Sequence, residues 1–186
     1  MKRPSSADDL YNAAAAQVGL GIVYRDQGRS QDALDAFIEA LLEFQKLDSH
    51  YGIASAMANI ALLYQLHGKN VEARTQYEQA LSIFASLGNQ ASITQTLTNL
   101  GLICQEERDW AQAHDYFEQA LAGYRELGDV HGEAIVLVNL ARLCALQGDA
   151  VRAESFTSDA RALSEAQGFD DQLARLEGIR TGGGRS

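Results

Sequence analysis

Two cysteines, four histidines and two short acidic runs are the residues with which this 186-residue chain could do chemistry. Cys104 and Cys144 lie 40 positions apart with no metal-type spacing around them. A reactive thiolate needs cationic or helix-terminal neighbours; both cysteines instead fall on the inner face of helical patterns, where they read as small, reduced, buried hydrophobes. A disulfide between them would need Cα atoms within ~7 Å, closer than the ~8 to 10 Å that separates packed helices. His50, His67, His114 and His131 have no i, i+4 partner of the metal-binding kind and read as solvated or capping residues. Glu106-Glu107-Arg108-Asp109 and Asp170-Asp171 read as wet helix ends rather than paired catalytic carboxylates. Glycine-rich phosphate loops, Walker-type Gly-Lys-Ser/Thr and a nucleophile elbow are all missing. The sequence therefore predicts no catalysis, no metal ligation and no cofactor.

Asparagine carries a different signal. Asn59, Asn99 and Asn139 recur at a period of 40, each one residue before Ile60, Leu100 or Leu140. An asparagine inside a helix competes for backbone hydrogen bonds and is a mediocre helix former, so its repetition needs a reason. Two remain open: a bond to a neighbouring helix that ties repeats together, or a bond to the main chain of a partner.

The elements that must position these residues follow from the same period. Tyr24, Tyr64, Cys104 and Cys144 align, as do Ala33, Ala73, Ala113 and Ala153, and Ala40, Ala80, Ala120 and Ala160. Phe37, Tyr77 and Phe117, then Phe44, Phe84 and Tyr124, follow in register without an insertion. A fixed period with apolar residues at helical spacing means stacked helix pairs, each unable to bury its face alone. The sole proline is Pro4, so nothing interrupts the helices that follow. First helices should end at Gly28, Gly68 and Gly148, with Arg108 replacing the glycine once; second helices should end at Gly88, Gly128 and Gly168. Asn89, Asp129 and Asp170 can cap the helices that come next.

The predicted organisation is four helix pairs over 7–168 (7–48, 49–88, 89–128 and 129–168), after a disordered N-terminus at 1–6. Thr157, Arg161, Ser164 and Gln167 replace aromatic residues or leucine in the fourth unit, as if the array were ending. A capping helix at 169–180, with Phe169, Leu173, Leu176 and Ile179 on one face, should cover it, leaving a flexible tail at 181–186. Lys+Arg 15 against Asp+Glu 25 gives a net charge of −10, which opposes binding to nucleic acid or an anionic membrane. No run approaches ~18 apolar residues and the first nine residues lack a signal-peptide stretch, so a soluble, cytoplasmic protein is expected.

The pattern Asn59-Ile60-Ala61-x-x-Tyr64-x-x-x-Gly68 followed by Ala73, Tyr77 and Ala80, with its counterparts from Asn99 and Asn139, resembles the tetratricopeptide repeat. Leu87-Gly88-Asn89 and Leu127-Gly128-Asp129 are similar to the junctions of its forty-residue variety, found in Leu-Gly-Asn polarity scaffolds, kinesin light chains and bacterial regulators. The resemblance implies an all-α, right-handed α-α superhelix of four repeats plus a capping helix. It also implies a concave groove lined by first helices, with the asparagine amides facing a bound peptide. By that resemblance the groove would open with Ile22, Arg25 and Asp26 and continue through Ser55, Asn59, Leu62, Gln65 and Leu66. Gln95, Thr98, Asn99, Leu102, Gln105 and Glu106 would follow, then Ile135, Val138, Asn139, Arg142 and Leu146. The first two units lack the Lys/Arg set with which the chaperone-binding branch clamps a C-terminal carboxylate. The expected function is a non-catalytic interaction scaffold for a neutral or basic protein or peptide segment. Two alternatives stay open: a ligand- or peptide-responsive sensor module of a signalling or transcription regulator, and a scaffold that self-assembles into a homo-oligomer.

Overall fold

The computed structural model describes residues 6–182. Among them are helices only, so the all-α expectation holds: α1 (Ala7–Asp26), α2 (Ser30–Lys46), α3 (His50–Leu66), α4 (Asn70–Ser86), α5 (Gln90–Glu106), α6 (Trp110–Leu127), α7 (Val130–Gln147), α8 (Ala150–Gln167) and α9 (Asp170–Gly182). They follow one another as antiparallel pairs joined by turns of a few residues. Residues 1–5 of the expected leader and 183–186 of the expected tail lie outside the described residues, while Thr181 and Gly182, expected in the tail, are the last residues of α9. Ser6, expected in the leader, is instead the cap of α1: its hydroxyl accepts from Asp9 N and the Asp9 carboxylate accepts from Ser6 N.

The turns obey a rule finer than the forty-residue repeat. A residue in the left-handed region stands at every twentieth position, at Gly28, Asp48, Gly68, Gly88, Arg108, Gly128, Gly148 and Gly168. Each closes a helix of about five turns by returning amides to its last carbonyls, as Asp109 N does to Cys104 O at 2.9 Å. Six of the eight are glycine; Asp48 (φ 52°) and Arg108 (φ 62°) adopt the conformation with a side chain attached. Ser49, Asp109, Asp129 and Asp149 then accept from amides of the next first turn. Asp170, expected as a cap, is the first residue of α9 itself.

The chain divides into two compact units, Met1–Asn89 and Gln90–Ser186. In the first, α1 pairs with α2 and α3 with α4, and α3 also packs on α2 and α1. Its core holds Ala33, Phe37, Ile60 and Leu63, beside a second cluster of Ala14, Ala40, Phe44 and Ala56. Burying each such ring contributes roughly 1.5 to 3 kcal/mol. Close approach is enforced by the absence of a side chain: a Cβ on Gly52 would collide with the Phe44 ring. In the second unit α5 pairs with α6 and α7 with α8, and a Cβ on Gly101 would stand 2.6 Å from Phe117.

The fourth pair does carry a polar interior. Thr157 and Ser164 are buried where earlier repeats place aromatic rings. Helix α9 packs on both α8 and α7, burying Leu176 and Gln172, half-burying Phe169, Leu173 and Ile179, and setting Phe169 edge-on to His131 at 4.9 Å. Helix α7, with mean hydropathy 1.2 over 18 residues, is long and apolar enough to cross a membrane by length and composition, although His131, Glu133, Asn139 and Arg142 keep it from being a continuous apolar run. More than half of that window is buried within the fold, as in the core helix of a globular unit.

Candidate functional site

First helices bury one stripe and leave the opposite one partly open. In α3 the buried residues include Gly52, Ala56, Ile60 and Leu63, whereas Ser55, Asn59 and Leu62 are half-buried and Leu66 is 64% exposed. Their spacing of three and four residues places them on one face. The same register recurs in α5, with Gln95 and Glu106 exposed and Asn99 and Leu102 half-buried, and in α1, with Gly19 and Asp26 exposed and Ile22 half-buried. The structure thus gives each unit a stripe of amides and aliphatic side chains that second helices do not cover.

Asparagine bonds are local. Asn59 Nδ2 donates to the carbonyl of Ser55 in its own helix at 2.8 Å, which leaves its Oδ1 available as an acceptor. The Asn139 Oδ1 accepts from Arg142 Nη2, again within one helix, at 3.1 Å. Neither bond ties one repeat to another. Glutamine shows a further regularity: Gln65 and Gln105, 40 residues apart, are each half-buried with an Oε1 that is fully enclosed and without a donor. Two acceptors in the same repeat position, each lacking a proton to accept, are costly unless something supplies one.

Three of the expected groove residues are withdrawn from the surface. Thr98 is 6% exposed, its hydroxyl bonded back to Thr94 O at 3.0 Å and facing Tyr124 across the α5–α6 seam. Burial raises the Tyr124 pKa, and its hydrogen bond with Thr98 opposes that shift. Asn139 is 1% exposed, in a helix that α9 covers as a further first helix would. Val138 is buried with it, Ile135 and Arg142 are half-buried, and Leu146 stays exposed. Arg25 is half-buried and paired with its neighbour Asp26 at 2.8 Å.

The candidates for chemistry stay apart. Cys104 and Cys144 are buried free thiols, and burial pushes the Cys144 thiol up, away from a reactive thiolate. His114 lies beside Glu118 and Arg152, and His50 is 3.9 Å from Asp48. Among the described residues no group of three or more His, Cys, Asp or Glu could hold a metal ion. What the repeat pattern did not reveal is the part played by α9, whose Gln172 and Arg175 have no counterpart 40 residues earlier at a first-helix face of the same chemistry.

The family described as Tetratricopeptide repeat matches residues 12–86 and 92–166. No curated protein matches the chain in sequence. Among solved structures, aspartyl phosphate phosphatase F from Bacillus subtilis is similar at TM-score 0.86 and 16% identity, over 92% of this chain and 45% of that one. A Rap protein complexed with Competence and Sporulation Factor is similar at 0.83 and 17%, over 89% of this chain and 46% of that one. The kinesin light chain TPR-like repeats of Podosopora anserina are similar at 0.70 and 18%, over the whole of both chains. The chain spans less than half the length of the first two.

Proposed function

The chain belongs to the tetratricopeptide repeat family, and from that premise we infer that it is a non-catalytic interaction module. It holds a peptide segment of a partner protein against the open stripes of its first helices. The observation that carries this reading is the recurrence of half-open amides beside aliphatic residues. Asn59 stands with Leu62 and Leu66 on α3, and Asn99 stands with Leu102 on α5. Side-chain amides of this kind accept from and donate to a partner main chain, while the leucines give apolar pockets for its side chains. A protein of net charge −10 favours neutral or basic segments over acidic ones. Among the similar structures, a Rap protein is complexed with Competence and Sporulation Factor and a Rap conjugation gene regulator with the Phr* peptide, which supports a peptide partner for the same fold. We place the protein in the cytoplasm on the same grounds as its composition.

The test compares wild type with Asn59→Ala/Asn99→Ala as baits for affinity capture from the native cell extract, with circular dichroism on both. Each lost hydrogen bond costs about 0.5 to 1.5 kcal/mol, so the double variant should bind roughly five- to a hundredfold more weakly while keeping its helix content. Retention of the same partners at equal strength by the folded variant would refute the amide stripe as the binding face. A regulatory sensor is the second reading, favoured by the Rap-type likeness; an output domain carried on the same or another chain would distinguish it.

A further inference from the structure

Arg142 of α7 and Arg175 of α9 line one cavity of about 400 Å³ in the second unit, within the size range of small-ligand sites. Val138, Ala145 and Leu146 of α7 and Gly178 and Ile179 of α9 complete its walls, which are mostly apolar. Both guanidiniums are held by neutral amides. Arg142 Nη2 donates to Asn139 Oδ1 at 3.1 Å, and Arg175 Nη1 donates to Gln172 Oε1 at 3.4 Å. Among the described residues neither arginine forms an ion pair.

The supporting shell is under-satisfied in one sense only. The buried Nε of Arg142 has no acceptor, and neither does Nδ2 of Asn139, a side chain 1% exposed. Both orphans are donors, so what is missing is an acceptor. Burial and then the neighbouring charge of Arg175 lower the Arg142 pKa, with Glu106 opposing; the two cations are close enough to repel. The side-chain hydrogen bonds of both cations thus go to amides, although the chain carries ten more acids than bases. Arg142 is half-buried beside the like charge of Arg175, and Glu106 offsets this only in part. A guanidinium fork matches a carboxylate edge to edge, and the aliphatic walls would be wasted on a bare inorganic anion.

We propose that the cavity between α7 and α9 binds a small amphiphilic carboxylate, its head group engaging Arg142 and Arg175 and its alkyl chain lying on Val138, Leu146 and Ile179. The site is independent of the amide stripes on α3 and α5, and its failure would leave them untouched.

Isothermal titration of the full chain with sodium octanoate tests it, with sodium acetate as the tailless comparison and 1-octanol as the headless one. Octanoate should bind saturably at one site per chain, and each comparison should bind more weakly by roughly tenfold or more. Arg175→Gln alters an exposed side chain and leaves the fold in place; it should weaken octanoate by roughly tenfold or more. Gly178→Leu supplies an independent variant, because a Cβ there meets nothing within 4 Å and the added side chain fills the cavity; binding should be lost. Absence of saturable octanoate binding would overturn the proposal. So would equal affinity for 1-octanol, or octanoate binding that both variants retain.

Discussion

Tyr77→Phe should stabilise the protein, and the gain should grow in alkali. Tyr77 fills the aromatic position of the second repeat with its ring fully buried and its hydroxyl enclosed without a hydrogen-bond partner. Phe37 and Phe117 fill the same position in the first and third repeats, so the site accepts a ring without oxygen. An unsatisfied buried hydroxyl costs about 1 to 3 kcal/mol; allowing for relaxation, its removal should gain about 1 kcal/mol at pH 7. Burial pushes the Tyr77 pKa far up, with Arg25 opposing weakly, whereas an unfolded tyrosine ionises near pH ~10. Above that pH the unfolded chain has released a proton that the folded chain retains, so wild-type stability falls as pH rises; below it, the contribution is present in full. At pH 11 ionisation of the unfolded phenol favours unfolding by about 1.4 kcal/mol. The advantage of the variant should therefore widen from about 1 kcal/mol at pH 7 to about 2.4 kcal/mol at pH 11. Urea denaturation followed by circular dichroism at both pH values measures it. A variant less stable than wild type at pH 7, or an advantage that does not change with pH, would refute the reasoning.

Three further outcomes follow from the packing. Arg108→Gly should raise stability by about 1 kcal/mol in urea, because the residue holds a left-handed φ of 62° that an L side chain resists. Gly101→Ala should lower it by about 1 to 3 kcal/mol, since the new Cβ meets the Phe117 ring, and Phe117→Leu in the same chain should recover part of the loss. Asn139→Ala should destabilise by about 1 to 3 kcal/mol by stripping Arg142 of its acceptor, whereas Asn59→Ala, on a half-open face, should change the melting midpoint little.

Much of the fold is legible in the sequence because repetition multiplies a weak signal. One alanine facing an aromatic is ambiguous; Ala33, Ala73 and Ala113 beside Phe37, Tyr77 and Phe117 are not. The twenty-residue spacing of left-handed turns is legible at Arg108, which keeps register with Gly28, Gly68 and Gly148, but not at Asp48, where no glycine marks the second-helix end. Asn139 was misread for a reason outside its own repeat. It occupies the same register as Asn59 and Asn99, and only the docking of α9 decides that it is buried. Thr98 failed similarly, because a threonine can satisfy itself on the preceding turn and then sit inside, next to Tyr124. Periodicity reports which face a residue shares, and the end of an array is where the neighbour that would cover that face changes.

The central claim is that a partner lies on first-helix stripes, and site-specific photo-crosslinking tests it most directly. A photoreactive residue at Leu66, 64% exposed on α3, is compared in native extract with one at Val71, 73% exposed at the start of α4. Partner adducts should form from position 66, be lost in the Asn59→Ala/Asn99→Ala background, and be absent from position 71. Adducts from position 71 alone, or from position 66 regardless of the asparagines, would contradict the account.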